Sequence, residues 1–354
     1  MMIKQSRIAL LVSLVFMFNL LMANYALANP NPYETNIKKG LAFLTSIQNP
    51  DAGFPWWAGE KKGESDPATT AWVVMALSAS GEDLASKKWQ RNGQTPLDYL
   101  VKNTNQLEST TDYARQLLAL AMVNDYAPEK QAIINKLKSW QDESGHFGQG
   151  ALDEGDFINA HMWTILALKS VGEDIAYVDK AKSWLINSQN PDGGFAWYVG
   201  LPSDADDTAI AIQTLIALGE DPAKSLAIKK ALKYLKSLQV IDGGFSSGWA
   251  VNASNASTDS WVWQALHSIG ENANSPNWAI KGKNVASHLT SLQNQAGYFC
   301  WMAGEKNPSV TDTAYALIAL SGKYMPVNAD LPLEEKRVEK FKIIFNKVNL
   351  RLSV

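Results

Sequence analysis

Three carboxylates within four positions, Asp204, Asp206 and Asp207, are the residues of this sequence best placed to do chemistry. Like charges this close together cannot all ionise cheaply, so one of them is expected to keep its proton at higher pH than a free aspartate. A carboxylic acid that stays protonated near neutral pH can give its proton to a substrate. Because one helix start needs only one acid as its cap, the cluster predicts a general acid.

Aromatic side chains form a second candidate group, since 13 Trp in 354 residues is an unusually high count. Rings around an apolar cavity can stabilise a developing carbocation through their π faces, or simply contact a ligand. We expect a ligand-binding rim made of loop aromatics and two further acids. These residues are Trp56, Trp57, Trp197, Tyr198, Trp249, Trp301, Asp259 and Asp312.

Internal repeats must position these groups, because one phrase occurs five times with Phe six residues after Gln. The copies are Gln48 to Phe54, Gln141 to Phe147, Gln189 to Phe195, Gln239 to Phe245 and Gln293 to Phe299. The first interval between glutamines is about twice the others, so a degenerate copy is expected near residues 95 to 113. Six units of roughly 50 residues follow from this spacing.

Each unit contains two helical patterns. An amphipathic pattern with one solvent-exposed face precedes the phrase, as in Ser225 to Leu238. A pattern that is apolar on nearly all sides follows the phrase. The apolar patterns, which predict inner helices, are Thr69 to Ala79, Asp112 to Met122, Ala160 to Leu168, Thr208 to Leu218, Ser260 to Ile269 and Thr313 to Leu320.

The alternation of six outer and six inner helices predicts an all-α fold. An open superhelix usually needs polar capping repeats, and neither terminal unit looks unlike the central ones, so a closed α/α toroid of six helix pairs is favoured. If the inner helices are parallel, their N-termini share one mouth. Each bears an acid near its first turn: Asp66, Asp112, Asp156, Asp207, Asp259 and Asp312.

The two ends of the chain differ from the repeats. Lys4 and Arg7, an apolar run from residue 8 to 21 and small residues up to Ala28 are typical of a secretory signal peptide over residues 1–28. An uncleaved anchor is the alternative. The expected organisation is therefore a signal peptide, a toroid over 29–323 and a basic C-terminal tail over 324–354, with export to a periplasm or the cell exterior after cleavage near Ala28.

Composition and residue types exclude several classes of function. The sequence has 32 Lys+Arg against 35 Asp+Glu and therefore lacks the excess of positive charge that binds a nucleic-acid phosphate backbone. Nucleic acid is thus not expected as a partner. Cys300 stands alone, which rules out an intrachain disulfide and a multi-cysteine zinc site. His146, His161, His267 and His288 show no ligand spacing, so neither metal nor cofactor is expected, although His161 and His267 could face a cavity.

The repeated phrase resembles the Gln-Trp motif of triterpene cyclases with Phe in place of Trp, and the resemblance extends over residues 34–322. It is similar to the prenyltransferase/squalene-oxidase repeat superfamily, which includes class II terpene cyclases, protein prenyltransferase β subunits and cobalamin carriers. In that family the phrase is structural: the Gln satisfies backbone groups between helices and the aromatic ring packs beneath.

The string from Asp204 to Ala209, D-x-D-D-T-A, is similar to the class II cyclase motif, whose middle aspartate protonates an alkene or epoxide. The resemblance implies that Asp206 is the donor, supported by Asp204 and Asp207. The cyclases that the motif resembles use two helical domains with the cavity between them, whereas this chain is long enough for one such domain. The zinc-binding D-x-C of the protein prenyltransferases is missing around Cys300.

Three functions remain open from the sequence. The leading expectation is exported binding of a bulky, largely apolar ligand of isoprenoid or corrinoid type, with contact to a membrane surface or a second subunit left open. The alternative is a class II terpene cyclase. The third is a partner-binding scaffold, which a filled ring centre would favour.

Overall fold

The computed structural model describes residues 31–150, 155–248 and 252–327. The chain divides into two compact units, residues 1–35 and 36–354. The described part of the first unit is a turn, in which Asn31 accepts the Tyr33 N–H through its side chain at 2.9 Å, followed by the first two residues of a helix. The signal peptide predicted over residues 1–28 and most of the predicted tail lie outside the described residues.

The repeats fold as six helix pairs. The outer helices are α1 (Glu34–Ile47), α3 (Pro96–Lys102), α5 (Ala127–Lys138), α7 (Val178–Asn187), α9 (Leu226–Ser237) and α11 (Val285–Ser291). The inner helices are α2 (Pro67–Ala79), α4 (Thr110–Leu120), α6 (Ile158–Ser170), α8 (Ala205–Ala217), α10 (Ala256–Ser268) and α12 (Val310–Leu320). The only sheet among the described residues pairs β1 (Ala279–Ile280) with β2 (Lys283–Asn284).

The inner helices begin two to four residues earlier than hydrophobicity alone predicts, and in five of the six a polar side chain caps the start, α6 after Phe157 being the exception. Asp66 accepts the Thr69 N–H at 2.6 Å at the start of α2, and Asn255 accepts the Thr258 N–H at 3.0 Å at the start of α10. Such caps satisfy backbone donors that have no partner within the helix. The capped inner helices therefore start in a fixed register, which sets the side chains that point toward the centre.

The six inner helices form a closed ring within the second unit. Each packs against its two neighbours in chain order, and α12 packs against α2. The backbone also closes the circle, because Trp57 after the first phrase bridges to Ser309 at the start of α12. The closed α/α toroid predicted from the repeats is confirmed, including the degenerate second unit built from α3 and α4.

The repeated phrase holds successive units together. The Gln189 side chain donates from Nε2 to Gly193 O in its own turn and to Ala227 O in the next outer helix, both at 2.8 Å. In the last unit, Gln293 donates to Asn36 O of α1 at 2.9 Å and so joins the sixth repeat to the first. All five phenylalanines are fully buried. The phrase is therefore structural, as the resemblance implied.

No helix in the described ranges is long and apolar enough to span a bilayer.

Candidate functional site

The mouth of the ring is lined by the second residue of each inner helix. All six of these residues are partly exposed, although the helices around them are largely buried: Ala68, Thr111, Asn159, Asp206, Ser257 and Thr311. Because the helices share one register, this row forms the wall of a bowl at the N-terminal end of the ring. Asp206 is the only acid in that wall.

The floor of the bowl is formed four residues further on, about 6 Å deeper along each helix axis. The sixth residues are Trp72, Arg115, Trp163, Ile210, Trp261 and Tyr315. The rings contact one another across the centre: Trp72 lies 5.2 Å from Trp163 and 5.1 Å from Tyr315, and Trp261 lies 4.6 Å from Tyr315. The ring centre is thus filled at this level, and the space above it is a shallow bowl with an aromatic floor.

The three clustered carboxylates take different roles at the start of α8. Asp204 is the N-cap and accepts the Asp207 N–H at 2.8 Å through Oδ1. Asp207, the third residue, accepts from Asn159 Nδ2 of the neighbouring α6 at 2.6 Å. Asp206 lies between them on the wall, and its Oδ1 is buried with no hydrogen-bond partner in the described structure. Asp204 also has a buried oxygen without a partner, its Oδ2, so Asp206 is distinguished by its place in the wall and not by an unpaired oxygen.

Burial raises the pKa of Asp206 to about 7, with a further rise from the charges of Asp207 and Asp312, although a hydrogen bond from Thr258 opposes the shift. Burial also raises the pKa of both Asp204 and Asp207, whose carboxyl groups titrate as a pair. A protonated Asp206 near neutral pH is the state that a general acid requires.

The acids near the inner-helix starts occupy different positions relative to the caps. Asp66 is a cap, Asp156 is exposed and precedes α6, and Asp312 accepts from Ser257 of α10. Asp259 is the fourth residue of α10 and is fully buried. Its Oδ1 accepts the Phe245 N–H at 2.7 Å and its Oδ2 pairs with His288 at 2.6 Å, so both oxygens already have partners and it does not face the mouth.

Comparison with known proteins supports this architecture. The family model described as "prenyltransferase alpha-alpha toroid domain" matches residues 94–259. Over these residues, just under half of its length, the chain is similar to that family. The predicted resemblance to the prenyltransferase/squalene-oxidase repeat superfamily is thereby confirmed.

The toroid is similar to a drimenyl diphosphate synthase from Streptomyces showdoensis, with 34% identity over 152 residues, which is 41% of this chain and 26% of the relative. A second drimenyl diphosphate synthase, from Streptantibioticus cattleyicolor, is 32% identical over 143 residues, or 40% of this chain and again 26% of the relative. The match therefore spans about a quarter of the length of the curated relatives.

Among solved structures, a type II terpene cyclase from Scytonema is similar with a TM-score of 0.56 and 14% identity, covering 81% of this chain and 96% of that chain. The geranylgeranyltransferase-I of Candida albicans is similar with a TM-score of 0.51 and 19% identity, over 72% of this chain and 83% of that chain. These likenesses show the fold, an α/α toroid that the cyclase and the transferase share.

Exposed aromatic loops form the rim of the toroid above the bowl. Trp57, Trp197 and Trp301 are all more than two-fifths exposed, and Trp56 is 70% exposed. The Trp197 carbonyl accepts the Asn159 N–H at 3.2 Å and the Trp301 carbonyl accepts the Ala256 N–H at 2.9 Å, which places each loop over the start of an inner helix.

Two other aromatic residues predicted for the rim, Tyr198 and Trp249, are not exposed rim residues of the described structure. Tyr198 is half-buried against Phe157, with 5.0 Å between the ring centroids. Trp249 lies outside the described residues.

His161 contributes to packing. His161 is fully buried in α6, where its Nδ1 accepts the Phe147 N–H at 3.1 Å and its Nε2 lies 3.0 Å from Ala181 O. It does not face the bowl, because this fourth helix position serves the repeated phrase, as Thr208 does for Phe195. Cys300 is buried, and no group of residues able to hold a metal occurs in the described ranges.

Arg115 and the aromatic floor were not recognised as one layer from the sequence. Counting from each cap reveals the layer, because the sixth position then aligns Arg115 with Trp72, Trp163, Trp261 and Tyr315. The apolar patterns alone hide this alignment, since helices that are apolar nearly all round show no preferred inward face.

Proposed function

We propose that this protein is a class II terpene cyclase in which Asp206 starts the reaction by protonating a carbon–carbon double bond of an isoprenoid chain. The observation that carries the proposal is the position of Asp206. Asp206 is the one acid among the six wall residues, above a floor of aromatic rings, and burial raises the pKa of its carboxyl to about 7.

The reaction follows from these groups. The proton of Asp206 adds to the terminal double bond and leaves a carbocation, which the next double bond of the chain attacks to close a ring. Loss of a proton elsewhere ends the sequence, so the product is an isomer of the substrate. The π faces of Trp261, Trp163 and Tyr315 stabilise the positive charge as it moves across the floor.

Length no longer argues against cyclisation. The resemblance to the cyclase family implied two helical domains for a cyclase. However, this toroid matches 96% of the chain of the protein described as a type II terpene cyclase from Scytonema. That protein is also described in complex with geranylgeranyl dihydroxybenzoate as substrate. A single toroid is therefore compatible with the proposed activity, and the same bowl supports binding of an isoprenoid before any chemistry.

The other functions considered from the sequence use the same bowl differently. Binding without chemistry, of an isoprenoid or a corrinoid, requires the rim and floor but not a protonated Asp206. The filled floor is the feature expected of a partner-binding scaffold, which would use the exposed Trp56 and Trp57 as contacts, whereas the cyclase needs only the space above the floor. Export remains part of the proposal, and fractionation of cells that express the full chain would test it.

The experiment is product analysis with matched variants. Purified protein from residue 29 onward would be incubated with linear polyprenyl alcohols, polyprenyl diphosphates and squalene, and extracts would be analysed by gas chromatography and mass spectrometry. We expect a cyclic isomer from at least one substrate with the parent protein and with Thr311→Asn, but not with Asp206→Asn. A product that survives Asp206→Asn would contradict the assigned role, and ligand binding without turnover would favour a carrier.

A further inference from the structure

A side cavity opens from the bowl between α2 and α4. It has a volume of about 160 Å³ and is lined on one side by Asp66, Ala68 and Ala71, and on the other by Asp112, Arg115 and Gln116. Ala68 belongs to the wall of the bowl and Arg115 to its floor. The cavity is therefore continuous with the bowl, on a different side from Asp206.

Two buried polar atoms in the lining of this cavity have no hydrogen-bond partner. Gln116 is 1% exposed, and its Nε2 donates to Thr104 Oγ1 at 2.7 Å while its Oε1 has no partner. Arg115 donates from Nη1 to Asp112 at 3.2 Å while its Nε has no partner. Buried polar groups are nearly always satisfied, so an acceptor and a donor left unpaired beside one cavity indicate a ligand group that fills both roles.

A hydroxyl group meets this requirement, because its oxygen accepts from Arg115 Nε and its hydrogen goes to Gln116 Oε1. A diphosphate does not. It has no hydrogen to give to Gln116 Oε1 when ionised, and the cavity already holds Asp66 and Asp112 against a single cation, Arg115. Although burial works against it, hydrogen bonds from Ser109 and the charge of Arg115 lower the pKa of Asp112, so this carboxylate stays ionised at neutral pH.

We infer that this side cavity binds the hydroxyl end of a neutral prenyl alcohol or phenol, and that the protein takes such a substrate in preference to a prenyl diphosphate. The inference rests on the proposed function. The Arg115 guanidinium lies 5.5 Å from the centre of the Trp72 ring, and Trp72 contacts Tyr315 across the floor. A substrate chain anchored at Arg115 and Gln116 thus crosses the aromatic floor toward Asp206. In this orientation the guanidinium charge lies beside the hydroxyl end of the substrate, away from the end where the carbocation forms.

The test compares three C15 probes with the same chain: farnesol, farnesyl diphosphate and the hydrocarbon farnesene. Binding is measured by quenching of tryptophan fluorescence and by the shift in melting temperature. We expect farnesol to bind at least about tenfold more tightly than the diphosphate. Gln116→Met, which removes the acceptor, should weaken farnesol binding about tenfold and farnesene binding less than twofold.

Two control variants separate recognition from a loss of stability. Thr104→Val removes the other hydrogen bond of Gln116 but leaves Oε1 in place, and Gln264→Met alters a buried glutamine of α10 whose amide atoms also lack partners. Both should leave the affinity for farnesol within twofold of the parent protein. Equal weakening of farnesol and farnesene by Gln116→Met, tighter binding of the diphosphate, or no binding of farnesol would overturn the inference.

The outcome is separable from that of the proposed function. Cyclisation of the diphosphate that depends on Asp206, together with tighter binding of the diphosphate than of the alcohol, would keep the cyclase and remove the hydroxyl subsite. Selective binding of farnesol that depends on Gln116, without turnover of any substrate, would keep the subsite and contradict the cyclase.

Discussion

The fourth and sixth inner helices begin in nearly the same way, yet one of them carries the proposed acid. In both, the third residue is an aspartate that accepts from the second residue of the preceding inner helix: Asp207 from Asn159, and Asp312 from Ser257. In both, the cap side chain accepts the N–H of that aspartate. The polar residues of the two helix starts differ at the cap and at the second position.

These two differences separate the repeat frame from the chemistry. Where α12 has Ser309 and Thr311, α8 has Asp204 and Asp206. Asp207 therefore belongs to the frame, Asp204 adds a second carboxyl beside it, and Asp206 alone is an acid at a wall position. A fold built from copies can thus gain an acid by changing one wall residue, because the neighbouring copies keep the helix start intact.

The largest effect should come from the wall position itself. Asp206→Asn is expected to lower kcat by about 10²- to 10⁴-fold, because the amide cannot give up a proton at neutral pH. Thr311→Asn, the matching change in α12, should alter kcat less than twofold. Steady-state rates of product formation measure both variants, and equal losses would show that Asp206 has no special role.

The pH dependence should distinguish the two framework aspartates. Activity is expected to fall above about pH 7, tenfold for each pH unit, because Asp206 then loses its proton. The charge of Asp207 contributes more than that of Asp312 to the raised pKa of Asp206. Asp207→Asn should therefore move the basic limb of the kcat/KM profile to lower pH by more than Asp312→Asn does. A larger shift from Asp312→Asn would contradict this ranking.

Stability should show the cost of keeping the acid. The pKa of Asp206 is higher in the folded than in the unfolded chain, so its contribution to stability is present below about pH 4 and is lost as the pH rises to about 7. The gain in Tm from Asp206→Asn should therefore be larger at pH 8 than at pH 4.5, by about 2–4 °C. Calorimetry at the two pH values checks this, and an unchanged difference would mean that Asp206 ionises as freely as a surface residue.

The smallest effect should come from giving α12 the cap of α8. Ser309→Asp preserves a good N-cap and places a second carboxyl beside Asp312, as Asp204 lies beside Asp207. We expect kcat to change less than twofold, since no acid is added to the wall. A loss of activity comparable with that of Asp206→Asn would show that the cap position controls the chemistry.

The repeated phrase was sufficient to predict the fold, because the Gln-to-Phe spacing reports directly on the turn and tether that join the units. The position of Asp206 beside Asp204 and Asp207 was also visible. The sequence did not reveal how the six acids differ. Asp207 is the third residue of its helix and belongs to the frame. Asp259 is the fourth residue of its helix and is buried, where it accepts the Phe245 N–H. The caps fix these positions, and several of the caps are serines or asparagines that hydrophobicity patterns do not register.

The side cavity was hidden for a different reason. Arg115 and Gln116 lie in the degenerate second unit, where the phrase is missing and no repeat indicates which residues replace those of the other units. Their unpaired atoms become evident only once the packing around Thr104 and Asp112 is known.

The central claim is that Asp206 protonates the substrate, and its most direct test is to run the reaction in deuterium oxide and measure the mass of the product by mass spectrometry. If the exchangeable proton of Asp206 adds to the double bond, the cyclic product will carry one deuterium on carbon and will be one mass unit heavier than the product formed in ordinary water. The Asp206→Asn protein should form no labelled product. A cyclic product without deuterium, or the same labelled product from Asp206→Asn, would contradict the account.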